Sequence, residues 1–256
     1  MTEWKGLLGR ISIFQVPSSA SPSPIEMLRK IWGVDPDNFK KQQNPLLPST
    51  ADSTLNGLTV HCSTQPGRID LNITPPAVDS ADMSIGLIDD TGTLYAELVR
   101  IIKAIPQLGI PGPVTRVAIV ARFGNLSKSG GDANRILSNV IPEEYRVRIT
   151  DETDFILQLN RLFTSRSVDR ITMNALKRWS VDRVQLMAIN MQAGGNLVTG
   201  GNSLTSEFMA NVMLEVNNVP VAENSLKTVE QVSLLEEGLK VISEYQKDTG
   251  LGVKGF

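Results

Sequence analysis

Residues 10–16 are Arg-Ile-Ser-Ile-Phe-Gln-Val, and their alternation of apolar and polar side chains predicts a β-strand. A Ser- and Pro-rich stretch follows and leads into a short predicted helix at 25–32, which ends at a glycine. Segments 58–63 and 68–74 flank the sequence Thr-Gln-Pro-Gly and form a predicted hairpin. Residues 93–105 carry leucine and isoleucine at helical spacing, which predicts an amphipathic helix. The first part of the chain is therefore expected to run strand, helix, strands, helix.

The strongest break in the chain is Pro-Gly-Pro at 111–113. After it, residues 116–120 are Arg-Val-Ala-Ile-Val and lie in a predicted strand, 114–123, which takes the place of the opening strand. Helices are expected at 132–140 and 225–245. The strands expected between these helices are 145–150, 154–162, 170–176, 181–191 and 205–217.

The order of elements therefore repeats, and it predicts an α+β protein in which helices pack on one face of an antiparallel sheet. A duplicated strand-helix-strands-helix unit would place the first half at 1–110 and the second half at 114–256, within one compact unit. This order resembles the duplicated helix-on-sheet arrangement of the TATA-binding-protein-like or helix-grip folds. The resemblance concerns the order of elements alone, so it implies no DNA binding.

The composition is that of a globular protein, with 41% hydrophobic and 20% charged residues and a net charge of -2. Charge is uneven, because residues 116–188 hold 12 Lys and Arg against 8 Asp and Glu, whereas residues 189–256 hold 4 against 8. Cys62 is the only cysteine, so no intrachain disulfide can form. The first residues show no signal-peptide pattern, and no apolar run is long enough to span a membrane. The expected protein is cytoplasmic and bacterial or phage-like in style.

Catalytic groups are scarce in this sequence. His61 is the only histidine, and on a strand it points to the face opposite Cys62, so the two cannot form a catalytic pair. Acidic residues cluster at 89–90, 143–144 and 151–154, but these lie in predicted turns, where solvated charge is the simpler explanation. We therefore expect no enzymatic activity, no catalytic residue, no metal site and no cofactor.

One glycine-rich loop has the context of an anion-binding site. Residues 124–131, Gly-Asn-Leu-Ser-Lys-Ser-Gly-Gly, follow a predicted strand and precede a predicted helix. Lys128, Gly130 and Gly131 are the candidate anion-binding residues. The lysine precedes the glycine pair, so the loop lacks the order of a P-loop, and a flexible connection is the simpler explanation.

The later strands carry polar side chains that could line a binding groove. The candidate ligand- or partner-binding residues are Gln158, Asn160, Arg161, Asn174, Arg178 and Trp179. Amides within apolar strands are costly to bury without partners, so these residues either face solvent or bond to one another. The alternative to a groove for a polar ligand, peptide or nucleic-acid backbone is the ordinary wet face of an antiparallel sheet.

These observations favour a non-enzymatic binding or scaffold protein that acts in a multi-protein assembly or as a homo-oligomer. The long irregular segments at 35–53 and 192–204 offer contact loops for such a partner. One alternative is a module that binds a small polar ligand, such as a nucleotide or metabolite. Another is weak binding of nucleic acid by the basic middle of the chain, with Arg161 and Arg178 in contact. No membrane partner is expected.

Overall fold

The computed structural model describes residues 3–17, 22–44, 47–76, 85–146, 155–187, 190–191, 197–198, 203–221, 225–249 and 251. The strands are Lys5–Gln15 (β1), Asn38–Lys40 (β2), Ser49–Leu55 (β3), Leu58–Gln65 (β4), Arg68–Thr74 (β5), Val114–Ser127 (β6), Ile156–Thr164 (β7), Thr172–Met187 (β8), Asn190–Met191 (β9), Leu197–Val198 (β10) and Ser203–Asn218 (β11). The α-helices are Pro24–Trp32 (α1), Thr91–Ala104 (α2), Gly130–Ser138 (α3) and Thr228–Thr249 (α4). Ile105–Gln107 and Glu143–Tyr145 form single turns of 3-10 helix.

One antiparallel sheet of nine strands organises the molecule, in the order β2-β3-β4-β5-β1-β6-β11-β8-β7. β1 and β6 are the central pair, and each is followed in the chain by a helix and then by the strands that complete its own side of the sheet. The strands β9 and β10 form a separate small ribbon. The expected α+β class with an antiparallel sheet is confirmed, whereas the finer helix-grip resemblance and the division at 110–114 stay predictions.

The helices pack closely on one face of the sheet, and two glycines make this approach possible. A Cβ atom on Gly9 of β1 would lie 2.6 Å from Leu94 Cδ1 of α2. A Cβ atom on Gly238 of α4 would lie 2.7 Å from Ile119 Cγ2 of β6. Real Cβ atoms do not come so near, so a side chain at either position would push its helix off the sheet. The helix α2 thus rests on β1 and β5, and α4 rests on β6 and β11.

The hydrophobic core fills the space between the helices and the sheet. Alternate residues of the strands point into this space and are almost fully buried, as in β4 and β5. The opposite, open face of the sheet carries ion pairs between strands, such as Arg116 of β6 with Glu215 of the neighbouring β11 at 3.2 Å, and Arg122 of β6 with Asp182 of β8, across β11, at 2.7 Å. It also carries Phe14, whose ring lies 5.2 Å from the Arg68 guanidinium carbon and 5.0 Å from that of Arg116. No helix in the described chain has both the length and the apolar character needed to cross a membrane.

The expectation of an irregular loop at 35–53 is wrong for much of this segment. β2 and β3 lie within it or begin in it, and β3 pairs with β4 along its whole length. The fully buried residues of β3 are Ala51 and Ser53, which are small, and only Leu55 at the end of the strand adds a large apolar side chain to the same face. Its sequence, Ser-Thr-Ala-Asp-Ser-Thr-Leu, therefore has the composition of a loop, and only the tertiary pairing makes it a strand.

The later strands are longer than their sequence pattern indicates. The segments predicted at 170–176 and 181–191 are largely one strand, β8, which runs without interruption from 172 to 187. β6 likewise continues to Ser127 and takes up the first half of the glycine-rich loop. Of the strand predicted at 145–150, the first residue belongs to a 3-10 turn and residues 147–150 lie outside the described chain. The acidic cluster at 151–154 and most of the contact loop predicted at 192–204 also lie outside it.

Candidate functional site: the groove beside helix α4

The structure divides the six candidate residues between the two faces of the sheet. Gln158 lies opposite Arg178 across the β7–β8 pair, and Asn174 lies opposite Leu162. These residues and Asn160 point to the open face, with Gln158 and Asn160 exposed and the other two half-buried. They therefore share the polar surface that an antiparallel sheet presents to water.

Arg161 and Trp179 point to the other face, toward the helices. Trp179 is fully buried, and its ring meets that of Tyr245 of α4 edge-on, with centroids 6.3 Å apart. This geometry makes Trp179 part of the core and leaves no face of its ring for a ligand. Of the six candidates, Arg161 is the one whose charged side chain reaches a deep concave surface.

That concave surface exists because α4 covers β6 and β11 but not the last two strands. The space above β7 and β8 forms a groove of about 1040 Å³, here called the α4 groove. Its floor is formed by Leu159, Arg161, Phe163, Ala175 and Lys177. Its wall on α4 is formed mainly by Glu236, Glu237, Lys240, Glu244, Tyr245 and Asp248. Its size is that of a ligand site, and its lining combines apolar side chains with many charged ones of both signs.

Two cations lie side by side on the groove floor. Lys177 of β8 is half-buried, and its Nζ lies 3.8 Å from the ring centroid of Tyr245. Burial lowers the pKa of Lys177, the positive charge of Arg161 lowers it further, and Asp248 opposes these effects in part. Among the described residues, neither Lys177 nor Arg161 forms an ion pair within 4 Å. The two cations of the floor thus have no direct ion pair among the described residues, and the carboxylates of the α4 wall, Asp248 among them, offset part of their charge from a longer distance.

The carboxylate of Glu237 closes one end of the groove. It accepts hydrogen bonds from the Ser165 hydroxyl at 2.6 Å, the Ser167 hydroxyl at 2.6 Å and the Arg166 amide at 2.9 Å. Burial alone would raise the pKa of Glu237, but these hydrogen bonds outweigh it and the pKa is lowered. The bonds fix α4 to the β7–β8 turn, so the groove has a rigid end.

A second carboxylate on α4 strengthens the same attachment. Glu230 forms two hydrogen bonds of 2.8 Å with the Arg170 guanidinium, and it also accepts from the Lys227 amide at 2.8 Å. Both bonds of the guanidinium come from Nη2, which lies between the two carboxylate oxygens and joins the turn to α4. The width of the α4 groove is thus set by two contacts between α4 and one turn.

The glycine-rich loop takes a form that does not favour the predicted anion site. The helix α3 begins at Gly130, so Gly130 and Gly131 are its first residues and Lys128 lies in the short turn before it. The N-cap is Ser129, whose hydroxyl accepts from the Asp132 amide at 3.1 Å and donates to the Asp132 carboxylate at 2.8 Å. An anion at this helix start would meet the negative charge of Asp132.

His61 and Cys62 point to opposite faces of β4, as the strand geometry predicts. His61 is half-buried on the open face, with Nδ1 3.2 Å from the Asn72 amide nitrogen. Cys62 is buried in the core, and burial raises the pKa of its thiol to about 12. Such a thiol stays protonated at neutral pH and is a poor nucleophile. Within the described ranges, no group of three His, Cys, Asp or Glu residues is placed to share a metal ion.

Sequence reasoning found Arg161 but missed Lys177, Glu237 and Tyr245. Lys177 was placed between two predicted strands, so its side chain could not be assigned to the face that Arg161 occupies. Glu237 is one of several acidic residues on an amphipathic helix, and nothing in the local pattern distinguishes it. Comparison with protein-family models gave no match, and neither did comparison with curated proteins. The function is therefore argued from the groove itself.

Proposed function

We propose that the protein is a non-enzymatic binding protein whose α4 groove holds a small anionic ligand, such as a nucleotide or a phosphorylated metabolite. The observation that carries this proposal is the pair of cations on the groove floor, Arg161 and Lys177, neither of which forms an ion pair with another described residue. Two like charges in a partly buried site repel each other, and a bound anion would turn that repulsion into attraction.

The remaining walls limit the kind of ligand that fits. Leu159, Phe163 and Tyr245 offer apolar and aromatic surface beside the cations, which suits a ring or a hydrocarbon portion. Glu244 and Asp248 on α4 are exposed and can accept hydrogen bonds from amino or hydroxyl groups. The ligand would then place its phosphate or carboxylate on the floor and its neutral donors toward α4.

Thermal unfolding with added ligands tests the proposal. AMP, ADP, a sugar phosphate and inorganic phosphate are added separately to the full chain, and Tm is measured. A ligand at 100 times its Kd adds about 2.7 kcal/mol to the free energy of unfolding. For a chain of this size that gain raises Tm by about 5–10 °C. Inorganic phosphate should give a smaller shift than the organic phosphates, because it leaves the apolar surface unused.

Arg178, which follows Lys177 on β8, provides a matched control for the two cations of the floor. Lys177→Met and Arg161→Gln should abolish the shift in Tm, because each removes one of the two floor cations. Arg178→Gln should retain it, because Arg178 points to the open face of the same strand. The proposal fails if no compound shifts Tm, or if Arg178→Gln removes the shift as completely as Lys177→Met. Salt-dependent retention on a single-stranded oligonucleotide that is lost in Arg178→Gln would instead favour nucleic-acid binding on the open face.

A further inference from the structure

The two edges of the sheet differ in how well they are protected. At one edge β2 has only three residues, Asn38–Lys40, and a short edge strand offers little for another strand to pair with. At the other edge β7 has nine residues, Ile156–Thr164, which pair with β8 without a bulge. Among the described strands none pairs with the outer side of β7.

The exposed backbone groups of β7 can be identified from its bonds to β8. The Val181 amide donates to the Phe155 carbonyl, and the Ser165 amide donates to the Ile171 carbonyl. Because bonding directions alternate along an antiparallel strand, the odd-numbered residues of β7 bond to β8. The N–H and C=O groups of Ile156, Gln158, Asn160 and Leu162 therefore point outward.

The side chains of β7 do not protect this edge. The strand contains no proline and no lysine. Ile156 is 59% exposed and Leu162 is 65% exposed, and both point to the open face. A long, regular edge with exposed apolar side chains is what natural sheet proteins avoid unless another strand pairs there.

We propose that β7 pairs antiparallel with β7 of a second copy of the chain, about a two-fold axis at Leu159. In this register Ile156 lies opposite the partner's Leu162, and Gln158 lies opposite the partner's Asn160. On the open face apolar residues thus meet apolar residues and amides meet amides, and the two-fold axis repeats each pair. On the helix face Arg161 lies opposite the partner's Leu157. A shift of the axis to Asn160 would place Ile156 opposite threonine and Gln158 opposite leucine, which breaks both matches. The strand therefore complements itself in one register.

The same pairing has a consequence on the helix face. Phe155 and Phe163 are half-buried on that face. In this register Phe155 lies opposite the partner's Phe163, and Phe163 lies opposite the partner's Phe155. The floor of the α4 groove would then continue into the floor of the partner's groove. The dimer does not depend on a ligand, so this proposal stands separately from the proposed function.

Paired charge substitutions test both the dimer and its register. The mass of the full chain is measured by light scattering over a series of concentrations, and the expected mass is twice the 27.9 kDa of one chain. Ile156→Lys and Leu162→Glu, made separately, should each raise the Kd of the dimer about tenfold. Each variant places a charge against an apolar side chain of the partner, and the two-fold axis makes this contact occur twice. The double variant should restore the dimer, because each lysine then faces the partner's glutamate.

Two controls complete the experiment. Val229→Lys changes an equally exposed apolar residue, 66% exposed on α4, and should leave the dimer unchanged. Circular dichroism of each variant checks that the fold is kept. A monomer at every concentration overturns the proposal. If the single variants weaken the dimer and the double variant does not restore it, the proposed register is wrong, because residues 156 and 162 then do not face each other.

Discussion

The two ends of the sheet have the same order of strands but a different cover. At one end α1 lies over β3 and β4, and every second residue of β4 is buried. At the other end β7 has no buried residue, and the space above it is the α4 groove. The groove therefore exists because β7 lacks the cover of helix side chains that α1 gives to β4.

The two short helices explain this difference. Four large side chains of α1, those of Met27, Leu28, Ile31 and Trp32, are buried against the sheet. Trp32 also donates from Nε1 to a Glu97 carboxylate oxygen of α2 at 2.8 Å, which fixes α1 to its neighbour. The helix α3 buries only three residues, of which Leu137 is the largest, and it packs near β6, β11 and β8 but not near β7. One end of the sheet is thus covered by α1, whereas the proposed binding groove lies at the other end.

The largest expected effect on stability comes from truncating a buried side chain of α1. Leu28→Ala should lower the free energy of unfolding by about 2–5 kcal/mol, because it leaves a cavity under α1. Leu159→Ala, on the groove floor, should cost less than about 1 kcal/mol because Leu159 is only half-buried. Urea denaturation of both variants measures the difference. Equal losses would show that the groove floor is packed as tightly as the core.

A smaller effect is expected at the rigid end of the groove. Glu237→Gln should cost about 1–3 kcal/mol at neutral pH, because it weakens hydrogen bonds to a charged acceptor. Glu236→Gln changes the exposed neighbouring carboxylate and serves as the control. The free energy of unfolding from urea titrations gives both values. A loss in Glu236→Gln as large as that in Glu237→Gln would show that the attachment to the β7–β8 turn is not specific.

The pH dependence follows from the lowered pKa of Glu237. A carboxylate whose pKa is lower in the folded state stabilises the protein above its unfolded pKa. This contribution is lost as the pH falls through the folded pKa. The cost of Glu237→Gln should therefore be complete at neutral pH and shrink in acid. A cost that stays constant down to acidic pH would contradict the role of the charge.

The sequence predicted the sheet where buried and exposed residues alternate clearly. The segments 10–16, 58–63 and 68–74 have large apolar residues on one face, and all three are strands. Ser49–Leu55 escaped prediction because small and polar residues fill its inward positions. The break predicted between the strands 170–176 and 181–191 falls at Lys-Arg-Trp-Ser, 177–180, which the structure places in the middle of a paired strand. Tertiary pairing overrides local composition in both cases.

The site was less accessible to sequence reasoning than the fold. The sequence analysis grouped Gln158, Asn160 and Arg161 in one groove, whereas the pairing with β8 places the two amides on one face of β7 and Arg161 on the other. The groove itself arises from the position of α4, which no local pattern encodes. The approach of Lys177 to Tyr245 joins residues 68 positions apart in the chain. Such contacts follow from how the helix lies on the sheet, and alternation along a strand says nothing about that.

The smallest expected effect concerns the groove floor without ligand. The pKa of Lys177 is lower in the folded than in the unfolded chain, so its charged form opposes folding at neutral pH. Lys177→Met should therefore raise the free energy of unfolding slightly, by less than about 1 kcal/mol. The gain should be complete below the folded pKa and shrink as the pH rises through it toward the ordinary value of lysine. Denaturation between pH 7 and alkaline pH measures this trend.

The sign of this small effect separates two roles for Lys177. If its charge is kept for a ligand, Lys177→Met stabilises the empty protein and loses the ligand-induced shift in Tm. If Lys177 serves the fold through its contact with Tyr245, the same variant is destabilised, because a cation over an aromatic ring contributes about 0.5–1 kcal/mol. Lys240→Met, at an exposed position on the opposite wall, controls for the loss of one positive charge. If Lys177→Met lowers the free energy of unfolding, Lys177 stabilises the fold, as the buried residues of α1 do at the other end of the sheet. The difference between the two ends would then give no support to ligand binding.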